Sequence, residues 1–216
     1  GAASPLGCRV GGVGPSPLTF TLSIMKIVVI GNSGSGKSWL SKHLATRFGT
    51  QVIHLDELFW EPGGFDRKRD HAVVSSLIAA SKSSESWIVG GVFGELAEQY
   101  LNEAETLIWL DIEWSLCKSR LQQRGSESKE HMDRSQSEAG LVKLLEWASL
   151  YSTRGDSRSF DGHQKLFNEF RGIRVRLNDE KEVNAFVADT QSFHRADCLT
   201  AAAHVKRFPL PPPAPT

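Results

Sequence analysis

The sequence predicts a doubly wound α/β fold, a three-layer sandwich around a five-stranded parallel sheet. Three observations carry this. Short apolar runs alternate with stretches of helical spacing between Met25 and Ala188, the runs are mostly too apolar to leave one face wet, and a glycine-rich loop follows the first of them.

In chain order, the strand-like runs are Lys26 to Ile30, Gln51 to Leu55, Trp87 to Val89, Thr106 to Leu110 and Ile173 to Leu177. Each is short and most are rich in β-branched or aromatic residues, as strands buried on both faces require. Between them, apolar residues recur three or four positions apart: Leu40, Leu44 and Phe48; Val74, Leu77 and Ile78; Leu96 and Tyr100; Leu116 and Leu121 with Arg120; and Leu141, Leu144, Leu145 and Ala148. In such a fold ligands sit beyond the carboxyl ends of the strands. The segment "RGSESKEHMDRSQSE", Arg124 to Glu138, breaks the alternation. Its composition fits a solvated loop, and its arginines at the edges fit a small lid over about 124–138.

Of 216 residues, 40% are hydrophobic, enough for one sizeable core. Gly1 to Ile24 is rich in Gly, Pro and Ser, and is expected to be a disordered extension with Met25 as the natural beginning. The domain is expected to cover 25–188. Periodicity fades after about Asp189, and residues 189–216 end in "FPLPPPAPT", an extended proline-stiffened tail or an SH3-type ligand. Lys+Arg and Asp+Glu are both 25, so no broad electrostatic drive toward nucleic acid or an anionic membrane exists. Three widely spaced cysteines without metal-ligand spacing, and no apolar run near the roughly 20 residues a membrane helix needs, suggest a reduced, cytoplasmic setting.

Gly31 to Ser38, "GNSGSGKS", satisfies G-x-x-x-x-G-K-[ST]. A loop that wraps its backbone N–H groups around phosphate oxygens needs close approach and unusual backbone angles, which Gly31, Gly34 and Gly36 permit. Lys37 then neutralises charge on the outer phosphates, and Ser38 can ligate Mg²⁺ while the helix it opens points its N-terminus at the anion. A β-branched strand precedes the loop and an amphipathic helix follows. The expected ligands are ATP and Mg²⁺, with Gly31, Asn32, Ser33, Gly34, Ser35, Gly36, Lys37, Ser38 and Trp39 around the nucleotide.

The loop and the string "VIHLDELFWEPG", Val52 to Gly63, resemble the P-loop NTPases of the nucleoside monophosphate kinase branch. Within it they look like adenylate-kinase-like proteins labelled DNA topology modulation protein, or FlaR-like. The resemblance continues through "WIVGGVF" (Trp87 to Phe93), "TLIWLDIEWSLCKSRLQQR" (Thr106 to Arg124), "YSTR" (Tyr151 to Arg154) and "IRVRLNDEKEVNAF" (Ile173 to Phe186). It implies an ATP-dependent phosphotransferase whose acceptor is a nucleotide or small hydroxylated metabolite. The threonine-glycine segment of adenylate kinases proper is missing. So is the aspartate that the family carries after the third strand, where this chain has Gly90. Such an acid organises the water shell of Mg²⁺, and Asp56 or Asp111 would have to substitute.

Asp56 follows the second strand and therefore sits on the ligand edge. It would take a proton from the acceptor or orient a Mg²⁺ water, or else cap the next turn. Glu57 is its neighbour, Trp60 would face an acceptor ring or seal the sheet edge, and Arg67, Lys68 and Arg69 form the expected acceptor segment. Arg120 and Arg124, four apart on one helical face, lead into the lid and would screen the transferring phosphoryl group, with Arg134 and Arg154 as a second pair. Asp111 reads as a cap for the helix beginning near Trp114, or as an arginine's partner. His54, His71 and His131 lack ligand spacing. The alternative function is an ATP-binding regulatory module or simple NTPase with weak or no kinase turnover, in a nucleic-acid-related role or outside one; a monomer or weak dimer is expected.

Overall fold

The computed structural model describes residues 25–62, 67–125 and 134–192. Five strands form one sheet: β1 (Lys26–Gly31), β2 (Gln51–His54), β3 (Trp87–Gly91), β4 (Thr106–Leu110) and β5 (Ile173–Leu177). Every pairing is parallel and the order is β2-β3-β1-β4-β5. β1 is central, and the chain leaves it first toward one edge and later returns on its other side through β4. The carboxyl end of β1 is thus the topological switch point at which such sheets bind ligands.

Alternate residues of β1 supply two separate cores. Ile27 and Val29 pack with Leu40, Leu44 and Phe48 of α1 (Lys37–Phe48), Cys117 of α5 (Trp114–Arg124), and Val183 and Phe186 of α8 (Glu180–Ser192). Val28 and Ile30 pack on the opposite face. Their partners include Val74 and Ile78 of α3 (His71–Ser81), Leu96 and Tyr100 of α4 (Gly94–Leu101), and Leu166 and Phe167 of α7 (Phe160–Glu169). Each fully buried Val, Leu or Ile contributes roughly 1.5–3 kcal/mol, so burial on both faces explains why Ile27 to Ile30 of β1 and Leu107 to Leu110 of β4 are wholly apolar. The fold is a three-layer α/β sandwich.

Three local differences from the sequence expectation stand out. Leu55 does not end the second strand but opens a short helix, α2 (Leu55–Phe59). The polar segment after Arg124 divides. Arg124 is the last residue of α5, residues 126–133 lie outside the described residues, and Arg134 already belongs to α6 (Arg134–Ser149). The last helix, α8, runs to Ser192, past the expected boundary at 188. Residues 1–24 and 193–216, where the extension and most of the tail were expected, lie outside the described residues. Among the described residues no helix is long and apolar enough to cross a membrane.

Candidate functional site

The phosphate loop leaves β1 at Gly31 and enters α1 at Lys37. Gly34 has φ 81° and lies so close to α5 that a Cβ there would stand 2.4 Å from the Cys117 carbonyl oxygen. Gly36 has φ 99° and immediately precedes α1, which opens without a side-chain cap. Both demand glycine. The uncapped first turn leaves amides free for an anion.

Lys37 Nζ donates to the Asn32 carbonyl at 2.7 Å, folding the lysine back along the loop. Loss of hydration pulls its pKa down to about 8, and Asp56 opposes that shift. Asp56 is half-buried at the start of α2, beyond the end of β2. Burial raises its carboxyl above the ordinary range, while Lys37, His54 and Arg124 pull it back. Lys37, Asp56 and Arg124 therefore stand within electrostatic reach of one another, and for both members of the Lys37–Asp56 pair burial outweighs attraction. Lys37 and Asp56 are thus a partly dehydrated pair of opposite charges.

The other loop residues differ in orientation. Asn32 is 2% exposed; its Oδ1 accepts from the Ser33 amide at 2.8 Å, and its Nδ2 donates to the Ala148 carbonyl at 3.0 Å. Ser35 is buried, its amide donates to the Asn32 carbonyl at 3.2 Å, and its hydroxyl has no partner. Ser38 is exposed. Trp39 is 52% exposed and stacks on His43 with ring centres 5.4 Å apart.

Among the described residues, Arg120 reaches the loop directly. Its Nη1 donates to the Ser35 carbonyl at 3.2 Å and its Nη2 to Glu180 at 3.0 Å. Arg124 is exposed at the end of α5. Arg154 caps a helix: it donates to the Trp147 carbonyl at 3.2 Å and the Arg158 carbonyl at 2.9 Å, and stacks 3.8 Å over the Trp147 ring. Arg134 has a described backbone only.

The expected acceptor segment is tied to itself. Arg67 pairs with Glu61 at 2.8 Å, Arg69 donates to the Glu57 carbonyl at 3.4 Å, and Lys68 lies 5.8 Å over the Phe59 ring. Trp60 packs edge-on against Phe59 at 4.8 Å, which is the sheet-sealing role. Asp111 does not cap α5, whose N-cap is Glu113; it accepts from Arg176 Nε at 3.0 Å, and Arg176 in turn covers Trp109. Asp111 is thus the arginine's partner rather than the cap.

Gly90 pairs with Val29 and His54 and is buried. A Cβ there would stand 2.8 Å from Ser41 Oγ, a fully buried hydroxyl without a partner. The place beside the strand is thus taken by Ser41 on α1.

A buried relay has no signal in the residue spacing. Trp109 Nε1 donates to Tyr151 Oη at 3.2 Å, Tyr151 Oη meets His163 Nδ1 at 2.7 Å, and His163 Nε2 meets the Val92 carbonyl at 3.0 Å. A carbonyl only accepts, so Nε2 carries the proton, Nδ1 accepts, and the tyrosine donates. Burial lowers the His163 pKa to about 3. The histidine could have been found only by counting it as apolar, between Phe160 and Phe167 on one helical face.

No family model and no curated protein matches the chain. Among solved structures, a shikimate kinase from Bacteroides thetaiotaomicron is similar at 15% identity, over 78% of this chain and 96% of its own, with a TM-score of 0.42. A deoxyadenosine kinase from M. mycoides is similar at 14% identity, over 78% and 99%, with a TM-score of 0.40. A gluconokinase from Sinorhizobium meliloti is similar at 17% identity, over 83% and 89%, with a TM-score of 0.37. Scores of this size carry no functional argument. The fold rests on the parallel strand order and on the loop that joins β1 to α1.

Proposed function

We propose that the protein is an ATP- and Mg²⁺-dependent phosphotransferase of the FlaR-like, adenylate-kinase-like group, acting on a nucleotide or small hydroxylated metabolite. One observation carries this reading. Lys37, the first residue of α1, and Asp56, just beyond β2, lie within electrostatic reach of one another beside a glycine loop that opens a helix. The loop supports an ATP fit: Gly34 and Gly36 leave the cradle free of side chains, and the first turn of α1 is uncapped.

In this reading Lys37 leaves the Asn32 carbonyl for the outer phosphates, and Arg124 screens charge on the moving group. Arg120 steadies the loop through Ser35. Asp56, with a raised pKa, accepts the proton of the acceptor hydroxyl as its oxygen bonds to the γ-phosphorus and the bond to ADP breaks. Mg²⁺ would be held by Ser38 with the phosphates and would neutralise part of their charge, and Asp56 would orient a Mg²⁺ water where it does not act as the base. Arg154 acts here through the last turn of α6 rather than on phosphate. A reduced cytoplasmic setting and a monomer or weak dimer complete the proposal.

A second reading, an ATP-binding module or simple NTPase, is favoured by Gly90. With Ser41 packed against that position, no carboxylate of β3 supports the cation. Label from γ-labelled ATP and Mg²⁺, followed into a panel of nucleotides and metabolites, separates the readings. Labelled acceptor is expected; free phosphate alone means an NTPase, and binding without turnover means a module.

A further inference from the structure

Asn32 is unusual among the loop residues because every polar group it owns other than its amide has a defined partner. Its backbone carbonyl accepts from Lys37 Nζ at 2.7 Å and from the Ser35 amide at 3.2 Å. Its side-chain oxygen accepts from Ser33, and its side-chain nitrogen reaches Ala148, 116 positions away. The amide cannot be turned over, since Ser33 N–H requires an oxygen and the Ala148 carbonyl requires a nitrogen. Ala148 is in the last turn of α6, where helical carbonyls run short of donors. The adjacent carbonyl, that of Trp147, is taken by Arg154. Three residues beyond Ala148, Tyr151 is fixed to His163 and Trp109. The last turn of α6 is therefore held on one side by a rigid relay and on the other by a phosphate-loop side chain.

Bound phosphates would draw Lys37 away from the Asn32 carbonyl, while the carboxamide of the same residue grips α6. We propose that Asn32 is a positioning residue which couples occupancy of the phosphate loop to the last turn of α6. This inference rests on the ATP reading above, and asparagine suits it because a buried site here needs one acceptor and one donor from a side chain two atoms beyond Cβ. Aspartate would keep the bond to Ser33 but set a second oxygen against the Ala148 carbonyl. Alanine would remove both bonds.

Hydrogen–deuterium exchange on the full chain tests the coupling, with and without ATP and Mg²⁺. In the unsubstituted protein, nucleotide is expected to slow exchange over 31–40 and also over 141–149. In Asn32→Asp, whose added charge weakens phosphate binding, nucleotide is raised until 31–40 is slowed as much as in the unsubstituted protein, and the slowing over 141–149 is expected to be lost. Equal slowing over 141–149 in both proteins overturns the inference. Absence of slowing over 31–40 in the unsubstituted protein overturns the ATP reading, and this inference with it. If Asn32→Asp does not fold, Asn32→Ala without nucleotide serves. Exchange is expected to quicken at the end of α6 and to stay unchanged in α7, and unchanged exchange in α6 overturns the proposal.

Discussion

Two side chains carry most of the testable chemistry. Lys37 has its pKa lowered to about 8 by burial, so below that pH it is charged and able to bind phosphate. ATP affinity of the free protein is expected to fall as pH rises through about 8, and Lys37→Ala is expected to lower affinity by roughly 100-fold or more at pH 7; equilibrium titration checks both. Because the folded pKa lies below the unfolded one, the same lysine lowers stability below about pH 8, and this penalty is relieved as pH rises from there toward 10.5. His163 has the same sign at lower pH. Neutral in the fold with a pKa of about 3, it gains a proton on unfolding once pH falls below 6.5. Stability should drop by roughly 1.4 kcal/mol per pH unit from 6.5 downward on its account. Urea titrations at pH 7 and pH 5 should show that loss, and His163→Gln, which keeps one donor and one acceptor, should flatten it.

At the scale of elements, the last turn of α6 separates two roles for one arginine. Arg154 holds the Trp147 and Arg158 carbonyls and lies against the Trp147 ring. Arg154→Met is expected to cost about 1–3 kcal/mol of stability, measured by denaturant unfolding, because two part-buried carbonyls lose their donor. A fall in turnover at unchanged stability would instead give Arg154 to the phosphoryl group. The "YSTR" string shows an arginine but not its target. The same limit applies to Asp111, whose partner Arg176 lies on another strand 65 positions away. Nor does the sequence reveal α7, since its apolar spacing is completed only by His163. Legible elements were those with purely apolar periodicity, such as β1, β4 and α1. α7, whose inward face is completed by a histidine acting as core, was not.

For the whole molecule, equal numbers of acidic and basic residues and an all-parallel sheet with a central β1 point the same way. Affinity for anions should be concentrated at one sheet edge. No binding to duplex DNA is expected even at low salt; a gel-shift or anisotropy titration that finds salt-sensitive binding would contradict it. The fold was almost wholly legible because strand burial is written in composition and the glycine loop in spacing. The site was only partly legible. Its residue types and their places after the strands, Lys37 beyond β1 and Asp56 beyond β2, follow from local sequence, whereas the burial that shifts both pKa values, and the way Asn32 faces inward, come from three-dimensional packing.

The contact between Gly90 and Ser41 also constrains the evolutionary routes open to this chain. Ser41 contributes a buried hydroxyl with no partner, so its loss to alanine is expected to leave stability nearly unchanged. An acidic residue at 90 is obstructed while that hydroxyl remains. Introducing a β3 carboxylate is therefore a two-step path with a preferred order, α1 first and the strand second, and the reverse order passes through a crowded intermediate.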